Sequence, residues 1–197
     1  MKLEANNYYD EEFYSKIEYI NVQIERHRTK QNKKRSRPFY LEISKIIKKI
    51  KAQSLKNSKM VCLGTRNNWE KDIFREGLGI NEIYSLDISP ISQADYVMDF
   101  NTLPEEWNDS WDIIYSNSID HAISSTKTYN TWLRTLKTGG LLVLGFVVND
   151  VAGPVVEHDC CSFVEQAVDD FFQNEKSVEL LETKMIGGYK HYFIKKK

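Results

Sequence analysis

The residues best able to do chemistry in this 197-residue chain sit where short apolar runs give way to polar loops. In residues 59–70 (KMVCLGTRNNWE) an apolar run ends in Gly64 and a polar turn follows, the pattern of a strand feeding a ligand-binding loop. The pattern recurs in 82–90 (EIYSLDISP), 94–103 (ADYVMDFNTL) and 111–117 (WDIIYSN), leaving Asp87, Asp99 and Asn117 at three further strand ends. Several strand ends are therefore expected to line one site. Asp120–His121 and His158–Asp159 are candidate general bases, since a carboxylate or neutral imidazole within hydrogen-bond reach can take a proton from a reacting hydroxyl. For each His the competing reading is a hydrogen-bonded structural residue. His121, His158, Asp159, Cys160 and Cys161 are not expected to hold a metal, because adjacent cysteines cannot easily both reach one tetrahedral ion.

The elements that must position these residues follow from apolar periodicity. Strands are expected at 60–63, 82–86, 96–98, 111–116 and 141–148, with helices at 70–75 and 129–136, the latter ended by Gly139 and Gly140. This alternation implies a parallel sheet covered by helices on both faces. A helix around 162–172 precedes two strands, 177–185 and 189–195, that flank Gly187 and Gly188 and read as an antiparallel hairpin. Upstream, Phe13, Ile17, Ile20 and Ile24 mark one stripe of a helix over roughly 10–31. Pro38 opens a second helix whose Phe39, Ile43, Ile46, Ile47 and Ile50 share a face. Residues 1–55 read as a basic helical extension and 56–197 as the domain proper.

Hydrophobic residues at 41% and charged residues at 28% are the composition of a soluble globular chain, and no apolar run approaches the roughly 20 residues that span a bilayer. The start lacks the apolar core of a secretory signal, and three cysteines make no disulfide ladder, so a reducing cytoplasm is expected. The net charge of −1 conceals a segregation: −3 over residues 1–15, +11 over 16–59 and −9 over 60–197. The densest basic stretch, residues 26–37 (RHRTKQNKKRSR), is suited either to neutralising the phosphates of a nucleic acid or docking on an acidic partner, or to being a solvated linker.

Taken together, VCLGTRNNWE, EIYSLDISP, DYVMDFNTLP, WDIIYSNSIDHA and LRTLKTGGLLVLGF resemble the successive motifs of class I S-adenosylmethionine-dependent methyltransferases. The resemblance covers about residues 59–197 and is nearest in wording to the small type 11 branch, in which a leucine, a lysine and paired glycines precede the fifth strand, as in 136–140 here. It implies an α/β, Rossmann-like methyltransferase fold: a mostly parallel seven-stranded sheet, helices on both faces and a C-terminal antiparallel hairpin, here with the N-terminal helical extension. A nicotinamide-dependent oxidoreductase shares the acidic second-strand end but needs GxGxxG and lacks the closing hairpin.

The resemblance also assigns roles. S-adenosyl-L-methionine would lie across the ends of the first three strands, with Gly64, Thr65 and Arg66 in the first loop. Asp87, 23 residues after Gly64, would accept from the ribose hydroxyls, with Ile88 beside it. Asp99 would accept from the adenine amino group and the Phe100 backbone would touch the ring. Asn117 would meet the methionine end. The competing readings are a helix N-cap for Asp87, an Asx turn for Asp99 and a plain turn for Asn117. Asp120 and His121 lie on the correct side of the sheet to serve a hydroxyl-bearing acceptor. The loop SNSID is not the Asn-Pro-Pro-aromatic type that methylates exocyclic base amines. Trp107, Trp111 and Trp132 read as core or rim, whereas Trp69 is placed to border the pocket.

One departure matters. The first loop keeps a single glycine, so Asn67 or Asn68 must take a left-handed conformation in place of another, and Arg66 would pair with the cofactor carboxylate. The alternative is a degenerate methyltransferase fold acting as an interaction module whose basic arm binds RNA or an acidic partner.

Overall fold

The computed structural model of the protein describes residues 3, 6–7, 17–30, 36–51, 55–149 and 161–197. In chain order the elements are β1 (Asn6–Asn7), α1 (Ile17–Lys30), α2 (Arg37–Lys51), β2 (Met60–Leu63), α3 (Trp69–Leu78), β3 (Ile83–Asp87), β4 (Tyr96–Val97) and β5 (Trp111–Ser116). There follow α4 (Ser125–Thr135), β6 (Leu136–Phe146), β7 (Val148–Asn149), β8 (Cys161–Val164), α5 (Glu165–Asn174), β9 (Val178–Ile186) and β10 (Tyr189–Lys196).

Seven strands form the main sheet in the order β4-β3-β2-β5-β6-β10-β9. The strands from β4 to β6 are parallel, and β10 runs antiparallel to both β6 and β9. Because β2 lies between β3 and β5, the chain winds outward in both directions from it, and the carboxyl ends of β2 and β5 mark the switch point at which open α/β sheets form a crevice. Apolar runs such as MVCL in β2 are buried on both sides, as a sheet covered on both faces requires. On one face Phe39, Tyr40, Ile43 and Ile47 of α2 and Phe74 of α3 pack on Met60, Cys62, Ile113, Tyr115, Val143 and Phe193. On the other, Tyr129 and Trp132 of α4 and Phe171 and Phe172 of α5 cover Val61, Leu63, Ile114, Leu142 and Leu144.

The structure shifts several expected boundaries. The helix expected to end at Gly139–Gly140 stops at Thr135, because Leu136 already pairs with Trp111, and β6 irregularly bows through the glycines before regaining register at Ile113↔Leu141. The helix expected over 162–172 begins only at Glu165; before it, β8 pairs with β1 and β7 in a small second sheet. The hairpin spans Val178–Ile186 and Tyr189–Lys196, turning at Gly187 and Gly188 with φ of 58° and 81°. Within the helix expected over 10–31, α1 covers Ile17–Lys30, and residues 8–16 lie outside the described residues. Of the expected isoleucine stripe, Ile20 is 36% exposed and Ile24 half-buried, while Tyr19, Gln23 and Arg26 are buried. No described helix is long and apolar enough to cross a membrane.

The edge of the sheet is pinned by a polar cluster. Asp95, just before β4, accepts from the Lys71 ammonium at 2.8 Å and from the Ser85 amide and hydroxyl at 2.7 and 2.8 Å. Burial alone would raise the Asp95 pKa, but these hydrogen bonds outweigh it and hold the carboxyl below its usual value. The native state therefore binds this proton less tightly than the unfolded chain. The resulting stability is present above the ordinary aspartate pKa of about 3.9 and is lost as pH falls through the depressed native value. Asp95→Asn is expected to lower the urea midpoint at pH 7, and its difference from the wild type should shrink below about pH 4; an equal deficit at both pH values would contradict this origin.

Candidate functional site

The site grows from the carboxyl ends of β2, β3 and β5. Gly64 follows β2 with φ of 76°, a conformation that costs an L-residue about 1–2 kcal/mol. Its amide donates to the Leu86 carbonyl at 2.8 Å, as does that of Thr65 at 3.2 Å, so the loop folds back over β3. A side chain at Gly64 would meet Cβ and Oγ of Ser118 at 2.8 Å and the Phe100 ring at 3.5 Å. The loops after β2, β4 and β5 thus converge at this glycine.

Asp87, at the end of β3, is 5% exposed. Its Oδ2 accepts from the Arg66 amide at 2.9 Å and its Oδ1 from the Ser89 amide at 2.8 Å. Arg66 and Asn68 both take left-handed conformations, with φ of 47° and 59°, so Asn68 fills one role usually given to glycine. Asn67 accepts from the Trp69 amide at 3.3 Å and so satisfies one orphan donor at the start of α3. Beside Asp87, the hydroxyls of Thr65 and Ser89 are buried and have no hydrogen-bond partner among the described residues. Ile88 is half-buried next to them.

Asp99 forms the Asx turn weighed above: Oδ1 accepts from the amide and side chain of Asn101 at 2.9 and 2.6 Å. Asn101, which the sequence reading did not single out, then accepts through Oδ1 from the Ile123 amide at 3.1 Å and the Thr128 hydroxyl at 2.7 Å. The loop after β4 is thereby tied to the loop after β5. Phe100 is buried, and its carbonyl accepts from Trp132 Nε1 at 3.0 Å. Asn117 accepts from the Ser118 hydroxyl at 3.4 Å and packs beside Gly145, whose missing side chain leaves room for the buried His191 ring.

Asp120 and His121 lie in a short helical turn after β5, both half-buried. Helix α1 reaches over this turn: the Tyr19 hydroxyl donates to the His121 carbonyl at 3.3 Å, and Arg26 Nη1 lies 3.4 Å from His121 Nδ1. Arg26, the first residue of the basic run, is therefore turned inward. Of the rest of that run, Arg28 is exposed beside Glu25 and Arg37 pairs with Glu76, while residues 31–35 lie outside the described residues. His158, Asp159 and Cys160 also lie outside them.

Strand order, closing hairpin and a crevice at the β2–β5 ends together discriminate among Rossmann-like folds. The Burkholderia thailandensis 1,6-didemethyltoxoflavin-N1-methyltransferase, with 1,6-didemethyltoxoflavin and S-adenosylhomocysteine bound, superposes with a TM-score of 0.71 over 100% of this chain and 94% of its own, at 11% identity. The fold is that of the class I S-adenosylmethionine-dependent methyltransferases. A methyltransferase from Aquifex aeolicus gives a TM-score of 0.59 at 15% identity, covering 84% of this chain and 95% of its own. The [4+2]-cyclase SpnF gives 0.58 at 15% identity, over 74% of this chain and 60% of its own. The methyltransferase fold thus hosts more than one chemistry, and activity must be argued from the site. No family model matches the sequence. No curated protein matches it either.

Gly64→Ala is expected to lower the melting temperature by several degrees, combining a left-handed penalty of about 1–2 kcal/mol with the Ser118 overlap. Adding Ser118→Gly should relieve the overlap and restore only part of the loss. Full recovery in the double variant would mean that the left-handed geometry carries no cost.

Proposed function

We propose that the chain binds S-adenosyl-L-methionine in the β2–β5 crevice and is a methyltransferase acting on a hydroxyl-bearing acceptor. The observation that carries this reading is the buried Asp87 carboxylate flanked by the partnerless hydroxyls of Thr65 and Ser89. Leaving a buried hydroxyl unpaired costs about 1–3 kcal/mol, which the hydroxyls of a bound ribose would offset. The Asp87 carboxylate accepts from the Arg66 and Ser89 amides, which hold it in place beside those hydroxyls. These residues fit a ribose.

In this reading Asp87 holds the ribose diol, with Gly64, Thr65 and Ile88 around it. Asp99 would use Oδ2 for the adenine amino group, since Asn101 occupies Oδ1. The Phe100 carbonyl is taken by Trp132, so its amide is the backbone group for the ring. The Arg66 side chain would pair with the carboxylate of the methionine end, near Asn117. When bound, the cofactor supplies a methyl group on a sulfonium centre that leaves as a thioether, keeping the bonding pair. The protein's task is to position the acceptor oxygen and remove its proton. Asp120 and His121, after β5, are the acid–base and hydrogen-bonding groups placed for that. Arg26 and Arg37, at the two ends of the basic run, are engaged within the chain, and residues 31–35 between them lie outside the described residues.

Titration calorimetry with S-adenosylmethionine and S-adenosylhomocysteine tests the reading. Binding is expected, and Asp87→Ala should weaken it at least about tenfold, as expected when hydrogen bonds to a charged group worth about 1.5–3 kcal/mol are lost. Absence of heat at millimolar ligand would overturn cofactor binding.

A further inference from the structure

Among the described residues, the main sheet has two open edges of unequal length. β4 is two residues long and is pinned by Asp95, whereas β9 runs for nine residues and pairs with β10 alone. A long open edge presents a row of backbone donors and acceptors to any strand that fits it.

Which groups face outward follows from the turn. Gly187 and Gly188, with φ of 58° and 81°, make a two-residue turn of the I′ type, so Ile186 and Tyr189 close the hairpin as a hydrogen-bonded pair. Hydrogen-bonded and non-hydrogen-bonded pairs alternate from there. Ile186, Lys184 and Glu182 therefore direct their backbone groups to β10, while Met185 and Thr183 direct theirs to the open side. The register shift between Phe193 and Ile194 falls beyond Glu182, which leaves residues 182–186 regular.

This stretch is self-complementary about Thr183. With a second copy placed antiparallel so that Thr183 stands opposite the partner's Thr183, Glu182 meets the partner's Lys184 and Lys184 meets the partner's Glu182. Opposed residues of an antiparallel pair share a face, and these two pairs are of the non-hydrogen-bonded kind, in which side chains come closest. Both charges are available at the surface: Lys184 is exposed, and the Glu182 side chain is 28% exposed beside the outward-reaching Lys49. Met185, 56% exposed, lies diagonal to the partner's Thr183 in this register. A lysine on a sheet edge ordinarily repels further strands, and here the facing glutamate reverses that effect.

We propose that the open edge of β9 is the interface for a second copy of this chain, paired antiparallel about Thr183 in a two-fold dimer that joins the two seven-stranded sheets into one. The contact is isologous, the same patch serving both partners. Its two-fold axis stands perpendicular to the sheet, so the two strand-end sites face opposite rims. The inference is independent of the methyl-transfer reading.

Sedimentation velocity on the full chain at about 1–500 µM, the range suited to a small interface, should show a reversible monomer–dimer equilibrium. Glu182→Lys sets like charges opposite each other twice, and it should raise the dissociation constant at least about fivefold, as should Lys184→Glu. Mixing the two single variants pairs lysine with glutamate at both positions and should recover the dimer. Thr183→Pro removes an outward N–H and spares the bonds to β10, so it should abolish the dimer with the far-ultraviolet circular dichroism unchanged. A wild type that stays monomeric across the range overturns the proposal. So does a dimer indifferent to the single charge reversals, or a mixture that associates no better than its components. If Thr183→Pro does not fold, the charge series still decides it.

Discussion

Two loops that leave neighbouring strands are held together at the Asp87 carboxylate, which takes the Arg66 amide from one and the Ser89 amide from the other. A carboxylate this buried is tolerable only when hydrogen-bonded, so the loops and the charge need each other. The geometry of the first loop follows. To aim its amide at Asp87, Arg66 adopts φ of 47°, costing roughly 1–2 kcal/mol that the charge-assisted bond offsets. With Arg66 so placed, the chain must turn again before α3, and Asn68 makes that turn at φ of 59°. A single glycine suffices because the carboxylate holds the rest of the loop in place.

The same economy governs the opposite wall. Asn101 bridges Asp99 to Ile123 and Thr128, so the loops after β4 and β5 are tied together. Ser118 and Phe100 then close on Gly64 from that side. The crevice walls are each cross-linked by side-chain amide or carboxylate groups, alongside the apolar packing of Phe100, Ile119 and Ala122. Below them both faces of the sheet are covered by buried apolar side chains. Polar groups therefore shape the rim while the aromatic layers around Trp132 and Phe74 fix the platform.

The strand ends were legible in the sequence because each is an apolar run stopped by a polar residue, and burial on both faces makes that signal strong in β2, β5 and β6. Gly64, Asp87 and Asp99 were visible for the same reason. What periodicity could not reveal was which side of α1 faces inward. Ile20 satisfies the helical spacing yet is 36% exposed, whereas Tyr19, Gln23 and Arg26 are buried, Tyr19 against a polar turn about 100 residues away in the chain. The β6 boundary failed similarly, because long-range pairing of Leu136 with Trp111 overrides the local stop signal of the paired glycines. Asn101 left no sequence mark beyond its place two residues after Asp99; its importance lies in partners 22 and 27 positions on.

The position of Arg26 bears on why the basic charge of residues 16–59 is segregated from the acidic remainder. The +11 block meets a −9 region, and several contacts between them are specific: Arg26 with His121, Arg37 with Glu76 and Lys49 with Glu182. The exposed pairs are each worth only about 0–1 kcal/mol and serve chiefly to orient the helices during docking. Arg26 differs because it is buried, where a guanidinium requires partners held in fixed geometry. A residue with that requirement confers precision on what it touches. In this fold its Nη1 lies 3.4 Å from Nδ1 of His121, in the short helical turn that follows β5.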